Sequence, residues 1–588
     1  MNEEKNKENM QYHLQLMETE AGIGYFSCIP AGDTDIQACF EYIRNCPNDE
    51  FMRRYLMAFL STWEKDELEK EIGKCDPADK IRMSLFCDIC LFYEKFRDLQ
   101  KYFSEALTGE SATPEFASPD FISNDLSAHT PLICLRYCRM EKRELHRKWI
   151  RFFAPNILEH RPLQSPEECG LPPLFSPGEL KGLPQENFSA DSVAEELRQM
   201  PPLDAPPRPE AKETIRRAMR SLSGLRIIAE AEMRHEASLS PIALMRKWNM
   251  NIRVKNGRHD YVLSGIQTSY GRGMELEAAR AAYMMEMVER YSSFASFDNE
   301  GISGYEKEYP LTFGRYSELA EKGYRLLNPN ELALEAPYPD APLYWIEGEA
   351  VTGQGNESIL IPAQCVFLFC NLDEIQIFSG LGSTGLAAGN TPEEAKVSAL
   401  LENIERHCEG VTPFTPAQCF EIETEEPRLN KLLDTYREAG IRVQFREMTS
   451  PMGIPCCKCF VMTQQGQVIK GTGAHLNARQ ALLSALTETP YPFLKGEPSG
   501  YGLHSLIRVP LENLRDYSMN NAAENLRLLE KLLTLNGYCP VYVNLTRKDT
   551  GIPVVRALIP GMEITADFDR FSRVHPRLYA NYLQMFTC

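Results

Sequence analysis

Two short runs of this chain carry one pattern, Glu286-Met287-Val288-Glu289-Arg290 and Glu402-Asn403-Ile404-Glu405-Arg406. Each is Glu-x-x-Glu-Arg, and each closes a stretch rich in Ala, Leu and Met with helical spacing. At i and i+3, both carboxylates of a pair lie on one helix face. Like charges there repel, so something must compensate them. For a single pair, the adjacent arginine and solvent are enough. Two copies beside apolar stripes suggest more, because four carboxylates converging from two helices form a hard oxygen-ligand site suited to magnesium. Magnesium then lets an acidic surface hold a polyphosphate, since the metal bridges carboxylate and phosphate oxygens. Glu409, just past the second pair, is expected to be a bystander.

Ahead of each pair sits a glycine-bearing segment. The first is Tyr270-Gly271-Arg272-Gly273, and the second runs from Gly380 through Gly382, Ser383, Thr384, Gly385 and Gly389 to Asn390. Small residues allow close backbone approach, and a following helix N-terminus favours anions. Thr391-Pro392-Glu393-Glu394 reads as that helix start, with proline in the first turn. No Gly-x-x-x-x-Gly-Lys-Ser/Thr occurs, so this is not a P-loop.

Together these segments resemble the YcaO family. The match is carried by Ser383-Thr384-Gly385-Leu386-Ala387-Ala388-Gly389-Asn390-Thr391 with Glu394, Glu402, Glu405 and Arg406, and by Gly271-Arg272-Gly273 with Glu286, Glu289 and Arg290. Leu545-Thr546, Gly551-Ile552-Pro553-Val554-Val555 and Pro560-Gly561 resemble the family's late strand pair. The resemblance implies an ATP fold without a P-loop, with ATP and Mg2+ as cofactors. It makes Glu286, Glu289, Glu402 and Glu405 the magnesium-organising carboxylates. Asn390, Glu394 and Arg406 would contact nucleotide or its metals, as would Glu488, and Thr214 resembles an early hydroxyl near the phosphates. No catalytic residue is assigned.

Where the family often has an Arg and then Glu-x-x-Gln, this chain has Ser484, Glu488 and Tyr491, so only the glutamate is kept and Arg479 is the candidate substitute. Azoline-forming members typically end in a proline-rich tail, whereas this chain ends Met585-Phe586-Thr587-Cys588. The resemblance therefore implies phosphorylation of a peptide backbone amide for heteroatom insertion, with thioamide formation ahead of azoline formation. Two rivals remain: an accessory factor for sulfur transfer or methylthiolation of a ribosomal protein, and a non-catalytic peptide-binding scaffold. The partners implied are a peptide or protein substrate and a sulfur-delivery protein, with a homodimer compatible.

The elements that must position these residues fall into three stretches. Over 1–150, segments such as DIQACFEYIRN and KIRMSLFCDICLFYEKFRDLQKYF space apolar residues at three and four, which predicts an all-α helical domain. Over 151–207, prolines from Pro155 to Pro207 recur densely and predict a connector without long regular elements. Over 208–588, strand-like LYWIEGEAV, SILIPAQCVFLF and CPVYVNLT alternate with helical stretches, which predicts an α+β YcaO-type ATP-binding domain.

The 588 residues exceed one core. A formal net charge of −19 argues against a general nucleic-acid binder. No apolar run is long enough for a membrane, and the charged start MNEEKNKENMQYHLQ lacks a signal's apolar region, so the expectation is cytoplasmic. Eighteen cysteines then read as reduced thiols. Cys87, Cys90, Cys134 and Cys138 could hold zinc or an iron–sulfur cluster, but core packing is simpler, as it is for Cys456, Cys457 and Cys459 on a strand. His407, without a visible Cys or Asp partner, reads as structural or surface.

Overall fold

Trp248, Met250, Ile252 and Val254 alternate with Asn249, Asn251 and Arg253, and the computed structural model buries the first set and exposes the second. That is the period-two pattern of a half-buried strand. The structure describes residues 10–17, 25–32, 34–103, 126–256, 259–368, 370–493, 496–565, 567–569 and 571–586.

Three sheets organise these residues. The first joins β1 (Met10–Met17), β2 (Tyr25–Pro30), β3 (Met233–Arg234), β4 (Ile242–Val254) and β5 (Tyr261–Gly273) in the order β2-β1-β5-β4-β3. The second contains β6 (Thr312–Gly314), β7 (Leu343–Thr352), β8 (Gly355–Pro362) and β9 (Leu386–Ala388). The third runs through β10 (Cys419–Glu423), β11 (Gln444–Glu447), β12 (Cys456–Met462), β13 (Val468–Ala474) and β14 (Ile507–Pro510). β15 (Val541–Asn544) and β16 (Val554–Leu558) return to the second sheet, between β7 and β9. The result is a mixed α/β architecture.

The N-terminal region is largely helical, with helices Ile36–Asn45, Glu50–Leu60, Lys65–Lys74 and Lys80–Phe92. It is not all-α, because β1 and β2 precede those helices. β1 pairs in parallel with β5, Tyr12 opposite Leu263. Nothing local marks β1 as a strand; its partner lies far along the chain.

Nor is the region apart. Leu56, Leu60, Phe86 and Leu99 share one core with Trp248, Tyr261, Met287 and Trp345. The proline-rich stretch is likewise docked. Helix Arg143–Glu159 crosses residue 150 and continues through Pro155, buttressed by Trp149 and Phe153 against Tyr579 and Tyr582. Helix Ala190–Arg198 buries Val193 and Leu197 with Leu529 and Leu533.

Cys87, Cys90 and Cys138 lie in the same large core, and Cys134 packs with Tyr137 and Phe571. Cys456 enters one core while Cys457 and Cys459 enter another, as strand alternation requires.

A chain beginning at Pro206 loses β1 and the helices that cover Tyr261 and Trp248. It is expected to bind a hydrophobic dye and to melt without a sharp transition. A cooperative melt and no dye binding would instead show that a true boundary lies at 207/208.

Candidate active site

Each carboxylate helix leans on a strand at a residue without side-chain bulk. A Cβ on Gly271 of β5 would sit 2.0 Å from the carbonyl oxygen of Ala279 and 2.6 Å from the nitrogen of Tyr283. A Cβ on Gly473 of β13 would meet Ala481 O at 2.4 Å and Ala485 N at 2.8 Å, the same eight and twelve residues downstream. Just past the end of β9, a Cβ on Gly389 would sit 2.4 Å from Ala395 N. Only glycine permits these approaches.

The helices so held are Leu276–Ser293, Pro392–Val411 and Ala478–Glu488. Thr391 caps the second by accepting from Glu394 N at 3.2 Å, with Pro392 at its first position, as the sequence predicts. Fifteen residues past Gly271, Ala387 and Gly473 stand Glu286, Glu402 and Glu488. Three residues further come Glu289, Glu405 and Tyr491. The spacing alone marks two of these units, whereas Glu488 and Tyr491 are placed only through the family resemblance; in this third unit a buried tyrosine, donating to Glu497 O, stands where the second carboxylate would be.

The two glutamate pairs share one electrostatic environment. Burial pushes Glu289 up to about 8; Arg290 opposes this, while Glu402 and Glu286 add to it. Burial also raises Glu402, with Arg406 and Arg290 pulling down and Glu405 pushing up. Burial raises Glu488 too, followed by repulsion from Glu405, against the pull of Arg272 and Arg406. The carboxylates are individually anchored. Glu286 accepts from Tyr270 N at 2.6 Å, Glu402 from Gly385 N at 3.3 Å, and Glu405 from Thr472 Oγ1 at 2.6 Å and Ala474 N at 3.2 Å. Arg290 Nη1 lies 2.5 Å from Glu289 Oε1.

A second cluster gathers the remaining sequence-predicted ligands. Thr214 Oγ1 donates to Asn390 Oδ1 at 3.0 Å, and Asn390 Nδ2 donates to Glu394 Oε2 at 2.8 Å. Arg217 Nη1 donates to Asn390 O at 2.8 Å, and Arg208 stands 3.6 Å from Glu394. The helix carrying Thr214 packs directly on helix Leu276–Ser293.

Two arginines were not picked out. Arg556 of β16 is buried beside Glu402 and Glu289; its Nη1 donates to Gly382 O at 3.1 Å, while Nε and Nη2 have no partner. Arg272 Nε is also buried without a partner, and its charge acts on Glu286 and Glu488. Their place inside or next to the glycine and late-strand motifs was the available signal. Arg479 is not the substitute, since it pairs with Glu426 and is partly exposed.

Glu409 is no bystander. Burial works against its charge, but Lys470, Lys458 and Arg406 hold its carboxyl well below the usual range. It lies 3.6 Å from Arg406 Nη1 and 3.5 Å from the fully buried Lys458. His407 is structural rather than surface, accepting from Glu563 N at 2.9 Å through Nδ1.

Among the described residues, no three carboxylate, imidazole or thiol groups close around a single point. A divalent ion would have to draw the carboxylates inward from their present anchors. The donor set still fits the pair of ligands: hard oxygens for the cation, and the free guanidinium N–H groups of Arg272 and Arg556 for phosphate oxygens.

The class is thus a mixed α/β domain built around glutamate-bearing strand–helix units. Residues 270–490 match the family profile described as YcaO cyclodehydratase, ATP- and Mg2+-binding, and the chain contains a YcaO domain. An uncharacterised protein of Methanothermobacter thermautotrophicus is 28% identical over 339 residues, 52% of this chain and 84% of that protein. An uncharacterised protein in the tfuA 3′ region of Rhizobium leguminosarum bv. trifolii is 25% identical over 258 residues, 41% of this chain and 57% of that one. Among solved structures, a heterocyclase in complex with substrate and cofactor aligns with a TM-score of 0.49 and 17% identity, over 67% of this chain and 58% of its own. The YcaO of Methanopyrus kandleri bound with AMPPCP and Mg2+ aligns with a TM-score of 0.44 and 22% identity, over 62% of this chain and 95% of its own.

The charges dictate opposite responses to neutralisation. Glu409→Gln strips the partner from Lys458 and Lys470 and is expected to cost about 3–5 kcal/mol. Glu402→Gln removes a repulsion and should leave the melting temperature unchanged or slightly raised. Equal losses in both variants would mean that the site glutamates are structural ion-pair members.

The pH dependence follows from Glu289. Its folded pKa, about 8, lies above the ordinary 4.5, so its contribution is full at low pH and is lost as pH rises towards 8. The ligand-free melting temperature should therefore fall between about pH 4.5 and about pH 8, and Glu289→Gln should flatten that slope. A slope unchanged in the variant would show that Glu289 does not titrate in this window.

Proposed function

We propose that this chain is an ATP- and magnesium-dependent enzyme that activates a peptide backbone amide for heteroatom insertion. One observation carries the reading: Glu289 and Glu402, on helices far apart in sequence, lie within each other's field, with guanidinium groups beside them that lack partners. A purely structural core has no use for carboxylates that repel. A site for metal-bound phosphate does, because cation and anion together satisfy both sets of groups.

Glu286, Glu289, Glu402 and Glu405 would hold Mg2+, and Asn390, Glu394, Thr214, Arg406 and Glu488 would meet the nucleotide or its metals. When bound, ATP and Mg2+ supply a phosphoryl group that turns an amide oxygen into a leaving group. The chain's own part is to orient and to exclude water. Thr214 fixes the Asn390 side chain, which is shared with Glu394. Glu409 sets the position of Arg406, and Arg556 holds the glycine loop through Gly382 O.

Replacement of oxygen by sulfur, ahead of ring closure to an azoline, is the finer part of the proposal and follows the sequence expectation. It brings with it a peptide or protein substrate, a sulfur-delivery partner and a cytoplasmic setting. The product's mass separates the branches, since sulfur for oxygen adds mass and azoline formation loses water.

Calorimetry should show ATP binding with magnesium and almost none with a chelator. Glu286→Gln and Glu402→Gln should each weaken Mg·ATP binding by at least roughly 10- to 100-fold, the cost already seen for an outer partner of a metal site, and abolish phosphate release. Intact binding and turnover in Glu286→Gln would mean the two helices do not share a site.

A further inference from the structure

The segment from Asn371 to Ser379 leads straight into the glycine loop at Gly380–Gly385, and the N-terminal region grips it along its length. At its start is Asp49, fully buried and capping helix Glu50–Leu60. Its carboxylate accepts from Phe51 N at 3.0 Å, Met52 N at 3.2 Å, Tyr12 OH at 2.6 Å and Tyr42 OH at 2.8 Å. It also accepts from Asn371 Nδ2 at 2.9 Å, while Asn371 Oδ1 takes Glu50 N at 3.3 Å. Further along, Arg136 donates to Gln376 O, Gln376 N donates to Pro131 O at 2.8 Å, and Arg54 Nη2 donates to Ser379 O at 3.4 Å.

Beyond this stretch the chain is held from the other side. Arg556 takes Gly382 O, and Gly385 N donates to Glu402. Between the two sets of ties lie Gly380 and Leu381, and a Cβ on Gly380 or Gly382 would meet nothing within 4 Å. The glycine loop is thus an open span with one end fixed by the carboxylate site and the other by the N-terminal region.

We propose that the N-terminal helical region is a positioning element of the carboxylate site, with Asn371 and Arg54 as positioning residues for the glycine loop. This rests on the reading of that site given above. Leu372, Ile377 and Phe378 already bury the segment in the core. Apolar packing fixes its depth, but it is non-directional. Hydrogen bonds to three spaced positions fix its register, which decides where Gly382 and Gly385 present their backbone. Residues 1–269 lie outside the family match, so the grip comes from sequence that the match does not cover.

The test compares full-length wild type with Asn371→Ala, Arg54→Ala, Arg54→Lys and, as a control, Lys65→Ala, whose side chain pairs with surface Asp98. Hydrogen exchange over 371–390, melting temperature and Mg·ATP affinity are measured on each. Asn371→Ala and Arg54→Ala should speed exchange over 371–390 and weaken Mg·ATP by roughly 3- to 30-fold, as coupling through a packed network does. Arg54→Lys should recover part of both, and Lys65→Ala should change neither. Arg54 is a partly exposed side chain, so its variants fold even where Asn371→Ala does not. Unchanged exchange in Arg54→Ala overturns the grip, and faster exchange with unchanged affinity overturns its link to the site. Wild type that binds no Mg·ATP overturns the reading of the site instead, and the exchange data then judge the grip alone.

Discussion

The structure depends on keeping carboxyl groups together in a buried place that opposes their charge. Glu286, Glu289, Glu402, Glu405 and Glu488 each have a raised pKa, with burial as the leading cause in every case. Flexible supports would let such groups drift into water. Rigid ones do not, and rigidity here comes from backbone-to-backbone contact. The contacts at Gly271 and Gly473 leave no room for even a methyl group, so helix and strand move as one body. A side chain borne on such a unit stays where it is put, which is what a preorganised site demands.

Counter-charge is arranged to hold that repulsion without quenching it. Arg290 sits on Glu289 and within 3.5 Å of Glu286. Arg406 is drawn towards Glu409, which also faces Lys458 and Lys470. With two lysines beside Glu409, Arg406 also acts on Glu402 and Glu405. Arg556 and Arg272 remain under-used, with buried N–H groups facing no acceptor. Buried donors of this kind cost free energy unless a ligand meets them. Both signs of unmet demand therefore point to one kind of occupant, a cation that carries phosphate.

How far this was legible in the sequence depends on range. Glu-x-x-Glu-Arg, Thr391-Pro392 and the glycine segments are local signals, and each is found where its spacing put it. Glu488 and Tyr491 were placed through the family resemblance, but their kinship with the two glutamate pairs was not legible, because Tyr491 stands where a carboxylate would complete the pattern and because strand and helix had to be aligned on Gly473 first. Glu409 was misjudged because its partners come from β12 and β13, which no local pattern connects to helix Pro392–Val411. β1 escaped for the same reason, since its register is set by Tyr261–Ser264. Proline density misled over 151–207 because tertiary burial of Trp149 and Phe153 sustains a helix across Pro155.

The same constraint explains why the N-terminal region is fused to the site rather than tethered beside it. The first carboxylate helix follows β5, and β5 would be an open edge without β1. An open edge twists and frays, and any rotation of β5 would carry Gly271, Arg272 and Glu286 with it. Parallel pairing with β1 closes that edge, and the same region reaches Asn371 through Asp49. One body thereby braces the strand under the first glutamate pair and the segment feeding the loop ahead of the second. Two helices that must hold mutually repelling groups at one place need a common frame, and the chain builds that frame from residues before the family match as well as within it.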